Sequence, residues 1–383
     1  MTILLNPACG GNCSCSAHGT VFVGGSFTAV NGNTAHSRLV RIDGNGEVDT
    51  TFLPVLDQAV YCLLYHEDTD RLYVGGEFST VNGSTRERLA CLDARTGALV
   101  SGFNANITAF SSEGVTQMVV DETNSRLWFV GEFDNIDGDT TRTVLGCVDL
   151  ATGAHVSGYP TVDSIADGFA IFKDGTTIYV GGSFTGTVTG SNGSFSRNRC
   201  FSFNLSTFAI NSFNPNLNGN CNGIALLGST LFLGGTFTTV NGGTGQVGWA
   251  AVNPTTGTLL HDWPENNVGS FKPIVLANEK VYHLGSHTFA KDETNTFVAR
   301  RNFSRYSETV LDALAPQFTP DTGVPTFTAC VHDGALIVGG DFTAVNGISR
   351  SRIVSMDEET GELNDWAPVF SSRVRSIIVD TAA

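Results

Sequence analysis

The chain has 383 residues, with 21 Lys and Arg against 37 Asp and Glu, so its formal net charge is −16 and its pI is near 4.8. That balance excludes a nucleic-acid partner, because phosphate recognition needs a basic stripe. Charged residues are only 15% of the chain and no apolar run is long enough to cross a membrane, which suits a turn-rich β protein with an uncharged polar surface.

In chain order, residues 1–18 stand apart from the rest of the chain. Their apolar stretch is Ile3–Leu5 with no basic residue before it, so they do not read as a secretory signal. "CGGNCSCSAH" crowds Cys9, Cys13, Cys15 and His18 together. Three thiols and an imidazole can make a tetrahedral Cys3His zinc site. The C-x3-C-x-C-x2-H spacing matches no standard knuckle, so a disulfide or free thiols on an N-terminal arm stay open as alternatives.

From residue 19 to residue 383 the chain repeats itself. "VGGSFTAVNG" (Val23–Gly32) returns as "VGGEFSTVNG" (Val74–Gly83) and "VGGDFTAVNG" (Val338–Gly347), with intermediate copies at Val130, Val180 and Leu233. The motif aromatics are Phe27, Phe78, Phe133, Phe184, Phe237 and Phe342, with His287 in the place of the sixth Phe, at intervals of 50 to 55 residues. Such a period marks a repeat architecture of seven units.

Within a unit the hydrophobic period is two, the signal of strands. The third unit predicts strands at Val115–Asp121, Arg126–Phe133, Thr143–Leu150 and Ala154–Pro160. A D-x-x-T-G-type hairpin turn separates the last two in most units, and the fourth segment ends in an aromatic: Phe52, Phe103, Tyr159, Phe213, Trp263 or Trp366. The fourth unit carries a long insertion around Gly186–Ser196. The sixth is degenerate and locally basic, with Lys272, Lys280, Lys291, Arg300, Arg301 and Arg305, either a solvated unit or a docking face for an acidic partner.

Four antiparallel strands repeated seven times predict an all-β fold, a seven-bladed β-propeller. The first unit lacks a first strand, and "VRSIIVD" (Val374–Asp380) is a first strand with nothing after it. The C-terminal strand is therefore expected to complete the first blade and close the ring, leaving no free sheet edge.

The V-G-G-x-F-T-x-V-N-G pattern with its D-x-x-T-G turn and terminal aromatic resembles the delta-sixty-type β-propeller repeat of bacterial surface and phage proteins. Five copies keep Gly-Gly-x-Phe intact; the third has Val130 in place of the first Gly. The resemblance implies a propeller with an interaction role and brings no catalytic residues with it.

Six further cysteines, Cys62, Cys91, Cys147, Cys200, Cys221 and Cys330, lie in or beside strands and read as small buried hydrophobes. His283 and His287, two strand positions of one face, offer a metal pair against the alternative of a packed pair. "DGNGEVD" (Asp43–Asp49) and "DNIDGD" (Asp134–Asp139) read as Asx turns rather than calcium loops. Hydrolase and nucleotide-loop motifs are absent, so no catalytic residue and no bound cofactor beyond the arm's zinc is expected.

The functional expectation is a non-catalytic structural or adhesion propeller of a phage virion. It folds in a reducing cytoplasm, reaches the virion or the extracellular space by lysis, docks by its arm and meets other structural proteins or a host glycan or protein with its loop face. The alternative is a carbohydrate-binding or hydrolytic propeller with its site at the central channel mouth.

Overall fold

A computed structural model describes residues 20–108, 114–164, 166–244, 248–261, 271–275, 280–286, 289–291, 297–299, 303–307, 310–311 and 324–380. Among them the chain is all-β, with two three-residue 3-10 turns, Glu67–Thr69 and Glu122–Asn124, as its helical elements.

Seven antiparallel sheets of three or four strands follow one another among the described residues. The second holds Val60–His66, Arg71–Gly76 and Leu89–Asp93; the third Val115–Asp121, Arg126–Gly131 and Leu145–Asp149. The middle strand of each is sandwiched between neighbours on both faces, which is why it reads as a continuous apolar run rather than an alternating one. Arg126–Gly131, for example, is buried at every position after the first.

The first sheet is made from both ends of the chain. Val21–Gly25 pairs with Leu39–Ile42 on one side and with Val374–Val379 on the other, in the register Val21↔Val379 and Val23↔Ile377. Asp380 N donates to Thr20 O at 2.8 Å, extending that ladder to the last described residue.

The expected fourth strand is mostly absent. In the first, second, third, fourth and seventh sheets it shrinks to one bridge, such as Leu92↔Leu99 or Val148↔His155, so Ala154–Pro160 is not a strand. The segment turns away because its partners lie in the next sheet. Asn104 N donates to Thr152 O at 2.9 Å and Asn214 N to Thr256 O at 3.1 Å, while Trp366 Nε1 donates to Asp43 O at 3.0 Å. In the first three sheets the aromatic ending the segment is an anchor, packing on a ring from its own sheet's middle strand: Phe52 on Phe22 at 5.3 Å, Phe103 on Tyr73 at 5.4 Å and Tyr159 on Trp128 at 5.3 Å between centroids. The Gly186–Ser196 insertion is likewise no loose loop. It continues the hairpin Thr177–Gly190 with Gly193–Asn204, and Thr161–Asp163 adds a strand beside it.

In six of the sheets the chain enters beside the Gly-Gly pair, or Val130-Gly131 in the third. After the second glycine the next N–H donates to the carbonyl just before the first strand: Ser26 to Arg373, Glu77 to Ala59, Glu132 to Gly114, Ser183 to Asp167, Thr236 to Asn220 and Asp341 to Pro325, at 2.9–3.2 Å. A Cβ on Gly76 would stand 2.2 Å from Ala59 O, and one on Gly235 1.8 Å from Asn220 O. No side chain fits there.

The first glycine instead receives a side chain from the next sheet. A Cβ on Gly24 would meet Val60 Cγ1 at 2.6 Å, one on Gly75 Val115 Cγ1 at 2.7 Å, and one on Gly339 Val374 Cγ1 at 2.6 Å. The third sheet has Val130 at this position, and the facing residue is Gly168, whose Cβ would lie 2.7 Å from Val130 Cβ. The pair has exchanged its large and small members across the interface.

The inner strands also satisfy one another. Ile377 N donates to Thr328 Oγ1, Leu63 N to Ser376 Oγ and Ile171 N to Gln117 Oε1, at 3.2–3.3 Å. Each bond caps an edge N–H that the sheet itself leaves unpaired.

Val130→Gly and Gly168→Val should each destabilise the chain by about 1–3 kcal/mol, through a void and through overpacking respectively. The double variant should recover part of the summed loss in urea unfolding, not all of it, because Val144 O would still stand 2.6 Å from the new Cβ. Strict additivity would show that the two residues do not share one space.

Acid acts on a different set of bonds. Asp93, Asp149 and Asp357 accept the N–H and the hydroxyl of the threonine three residues on, at 2.7–2.8 Å. Burial pushes Asp93 and Asp149 up, but the threonine bonds outweigh it and hold both below the usual carboxylate range; at Asp357 the Thr360 bonds dominate outright. A carboxyl lowered in the folded state stabilises it above the unfolded value near pH 4, and that stabilisation is lost as pH falls through the folded value. The fourth and fifth sheets build the same turn on Asn204 and Asn253. The triple variant D93N/D149N/D357N should therefore fold, and its Tm should fall less between pH 5 and pH 2.5 than that of the parent.

Candidate functional site

The loop face is less free than its polar sequence implies. Asn31 and Asn82, at the start of the "NG" turns, have φ of 49°, a left-handed conformation that asparagine tolerates. Each clamps the segment arriving from the preceding sheet by a reciprocal pair of bonds. Asn82 N donates to Val55 O and Val55 N to Asn82 Oδ1; Asn31 does the same with Val369, all at 2.8 Å. Arginines further along the loops are also taken. Arg38, Arg88, Arg199 and Arg352 turn back onto the carbonyls of Ser26, Glu77, Ser183 and Asp341. Arg86, Arg197 and Arg350 reach the carbonyls of Ser101, Asn211 and Asn364.

The same end of the sheets carries a second set of side chains, set by a recurrent irregularity of the first strands. Opposite the Gly-Gly pair, six first strands contain a one-residue bulge. The extra residues are Arg375, Tyr61, Thr116, Phe169, Asn222 and Phe327. Each is half-buried between buried neighbours. A bulge leaves its residue outside the ladder and re-aims its side chain, so one position in every one of these sheets is turned away from the inter-sheet core.

Neighbouring bulges touch. The Arg375 guanidinium carbon lies 4.6 Å from the Tyr61 ring centroid and 5.6 Å from that of Phe327, within cation–π range. Its Nε is 3.4 Å from Ser26 Oγ. Tyr61 donates its hydroxyl to Glu77 Oε2 at 2.6 Å, and Thr116 donates to Gly168 O at 2.6 Å. Carboxylates surround this set from the Gly-Gly-x position and the adjoining links. Asp341 takes Arg373 Nε at 2.8 Å as well as Arg352. Burial raises Asp167 above the usual carboxylate range, and the negative charge of Glu132, within hydrogen-bonding reach, raises it further, against a lowering bond from Ser183. Two rings and a guanidinium thus meet at the mouth from the seventh, first and second sheets, and the Glu132–Asp167 pair stands at the same end of the third and fourth sheets.

Other residues singled out by the sequence fall elsewhere. Cys9, Cys13, Cys15 and His18 lie outside the described residues, as do His287 and Trp263. His283 is buried and its ring packs against Trp249. Arg305, part of the expected basic docking unit, is buried and donates to Glu358 O at 2.6 Å, so it belongs to the interior. Asp43 and Asp139 close Asx turns, onto Asn45 and Glu47 and onto Thr141. All six strand cysteines are buried thiols, and burial pushes Cys330 up to about 12. Cys200 and Cys221, assigned to separate units by sequence, meet across one interface, where burial and the partner thiol together hold Cys200 well above the normal thiol range.

Three stretches of the chain, residues 19–52, 69–99 and 332–354, match the family model described as domain of unknown function (DUF5122) beta-propeller. The chain is a β-propeller repeat protein. Among solved structures it is similar to the computationally designed Ika8 protein, at 12% identity over 92% of this chain and 90% of that one, with a TM-score of 0.48. It is similar too to the Myceliophteria thermophila Cps50 (Swd1) beta-propeller domain, at 8% identity over 84% and 90%, with a TM-score of 0.48. No curated protein matches it.

The bulges cannot be read from periodicity, because each inserts one residue into an alternation that otherwise holds. At the mouth, Asp167→Asn should raise Tm at pH 7 by about 1–2 °C. A carboxyl raised in the folded state opposes folding once ionised, and that opposition vanishes below the unfolded value near pH 4. The gain should therefore be absent at pH 3; a gain equal at both pH values would assign it to packing instead.

Proposed function

We propose that the chain is a non-catalytic, seven-bladed propeller of the delta-sixty type, closed into a ring by its C-terminal strand and serving as a structural or adhesion component of a phage virion. Closure is supported by the pairing of Val374–Val379 with Val21–Gly25. It is supported too by the contact of Val374–Val379 with the first strands of both the second and the seventh sheets, and by the Trp366–Asp43 bond at the outer edge.

The observation that carries the functional reading is polarity. Thr20 and Asp380 lie at the opposite end of the first sheet from Gly25 and the loops. The described residues therefore begin, at Thr20, on one face while the mouth and the "NG" turns occupy the other. A rigid body with its tether on one side and its adaptable surface on the other suits a part held by an assembly and turned outward. Val55, Val369 and Ile348, each about half exposed or more on the loop face, add apolar contact area for a protein partner.

A second reading keeps a specific observation in its favour. The rings, guanidinium and carboxylates at the mouth are the groups that bind sugars, and a carboxyl raised by burial beside another is what glycoside hydrolysis uses as its acid. In this reading the mouth holds a glycan.

The leading proposal is tested on particles of the phage that encodes the chain. Antibody against the chain should label intact particles, and a chain lacking residues 1–18 should keep its thermal transition yet drop out of them. Incorporation of the shortened chain at the parental level would remove the arm's docking role.

A further inference from the structure

We infer that Arg375 at the mouth is the anchor for a carboxylated sugar, a uronic- or sialic-acid residue of a surface glycan. This assignment rests on the glycan reading of the mouth and names the class of sugar it takes.

Arg375 is set apart from the other arginines of that face. Arg38, Arg86, Arg88, Arg197, Arg199, Arg350 and Arg352 spend their guanidinium edges on backbone carbonyls. Arg375 is placed by a bulge outside the ladder. Its plane is supported by Tyr61 and Phe327, and among the described residues its hydrogen bond is the weak one from Nε to Ser26 Oγ at 3.4 Å. Stacking against two rings holds a guanidinium by its faces and leaves its N–H edge directed at whatever enters. That edge matches a carboxylate in a bidentate fork, the strongest neutralising contact a guanidinium makes.

The neighbours decide between a bare anion and a sugar acid. Tyr61 and Phe327 present apolar ring surface beside the guanidinium, which a small anion does not use and the C–H face of a pyranose does. Glu77, which takes the Tyr61 hydroxyl at 2.6 Å, is an acceptor for a ligand hydroxyl and repels a second anionic group. A ligand with one carboxylate, an apolar face and several hydroxyls meets all three; a phosphate-rich or polyanionic ligand is opposed by the carboxylates and by the net charge of −16.

Calorimetry and saturation-transfer NMR on the full chain test this with methyl glucuronide, methyl N-acetylneuraminide, methyl glucoside and acetate. At least one acidic glycoside should bind about tenfold or more tightly than methyl glucoside and acetate. Arg375→Lys, which keeps the charge and loses the fork, should weaken the acidic glycoside about tenfold and leave methyl glucoside unchanged. Phe327→Leu, which removes a supporting ring and retains Arg375, should weaken it severalfold and guards against a folding defect in the first variant, as does an unaltered thermal transition. Equal binding of acidic and neutral glycosides would overturn the inference and leave the glycan reading standing. Binding of acetate as tight as that of the glycosides would reduce the site to a plain anion site. No binding of any sugar would overturn both.

Discussion

The structure depends on one contact made at the entry to six of the sheets, a carbonyl oxygen driven into the space a Cβ would fill. At Gly76, Gly131, Gly182 and Gly235 that oxygen comes from the residue before a first strand, within 2.2 Å of the missing atom, and it accepts the N–H of the residue that follows the glycine. Since no side chain can enter, the glycine is obligatory and the strand order around it is settled. The first strand must begin where this bond is made, and the register of the sheet is set by that start. Apolar packing alone would not achieve this, because it is non-directional and tolerates sliding. The hydrogen bond supplies direction, and the glycine supplies access.

The same contact explains why a bulge recurs at one place. Holding the carbonyl against the second glycine brings the first strand in one residue out of step with the middle strand, and the extra residue must leave the ladder. In the first sheet that residue is Arg375, and in the second it is Tyr61. The mouth is thus a by-product of how each first strand is anchored. Its side chains take no part in the inter-sheet cores, whereas Val60, Val115 and Val374 one position earlier are buried against the neighbouring sheet's glycine.

Much of the fold is legible in the sequence because the repeat displays its constraints several times over. The Gly-Gly pair, the motif phenylalanines, all buried where described, and the terminal aromatics each have a single structural duty, repeated with small variation. The fourth strand is not legible, because its alternation and terminal aromatic look the same whether the segment pairs along its length or makes one bridge and crosses to the next sheet. The loop asparagines and arginines mislead for a related reason: polar residues in turns read as available surface, yet here they are bonded to main-chain atoms of other segments. Val130 alone looks like decay of the motif, and only the facing Gly168 gives it a reason. Their compensation lies 38 positions apart in the chain, and no local pattern links them.

A repeat protein carries its own comparison set, and the position that differs among equivalent copies is as informative as the one that does not. Six bulges of equal geometry hold Arg375, Tyr61, Thr116, Phe169, Asn222 and Phe327, five residue types with cationic, aromatic and small polar character. Were this position structural, the shared geometry would favour one residue, as it does for the glycines opposite. Diversity under identical backbone constraint means that the bulge geometry does not itself dictate the residue. The scaffold residues make the face rigid, and rigidity lets six dissimilar side chains from separate sheets present one fixed chemical pattern. A flexible surface would lose to ordering entropy much of what such a pattern gains on binding. The arginine clamps and asparagine turns add to that rigidity by tying the loops to main-chain atoms of other segments.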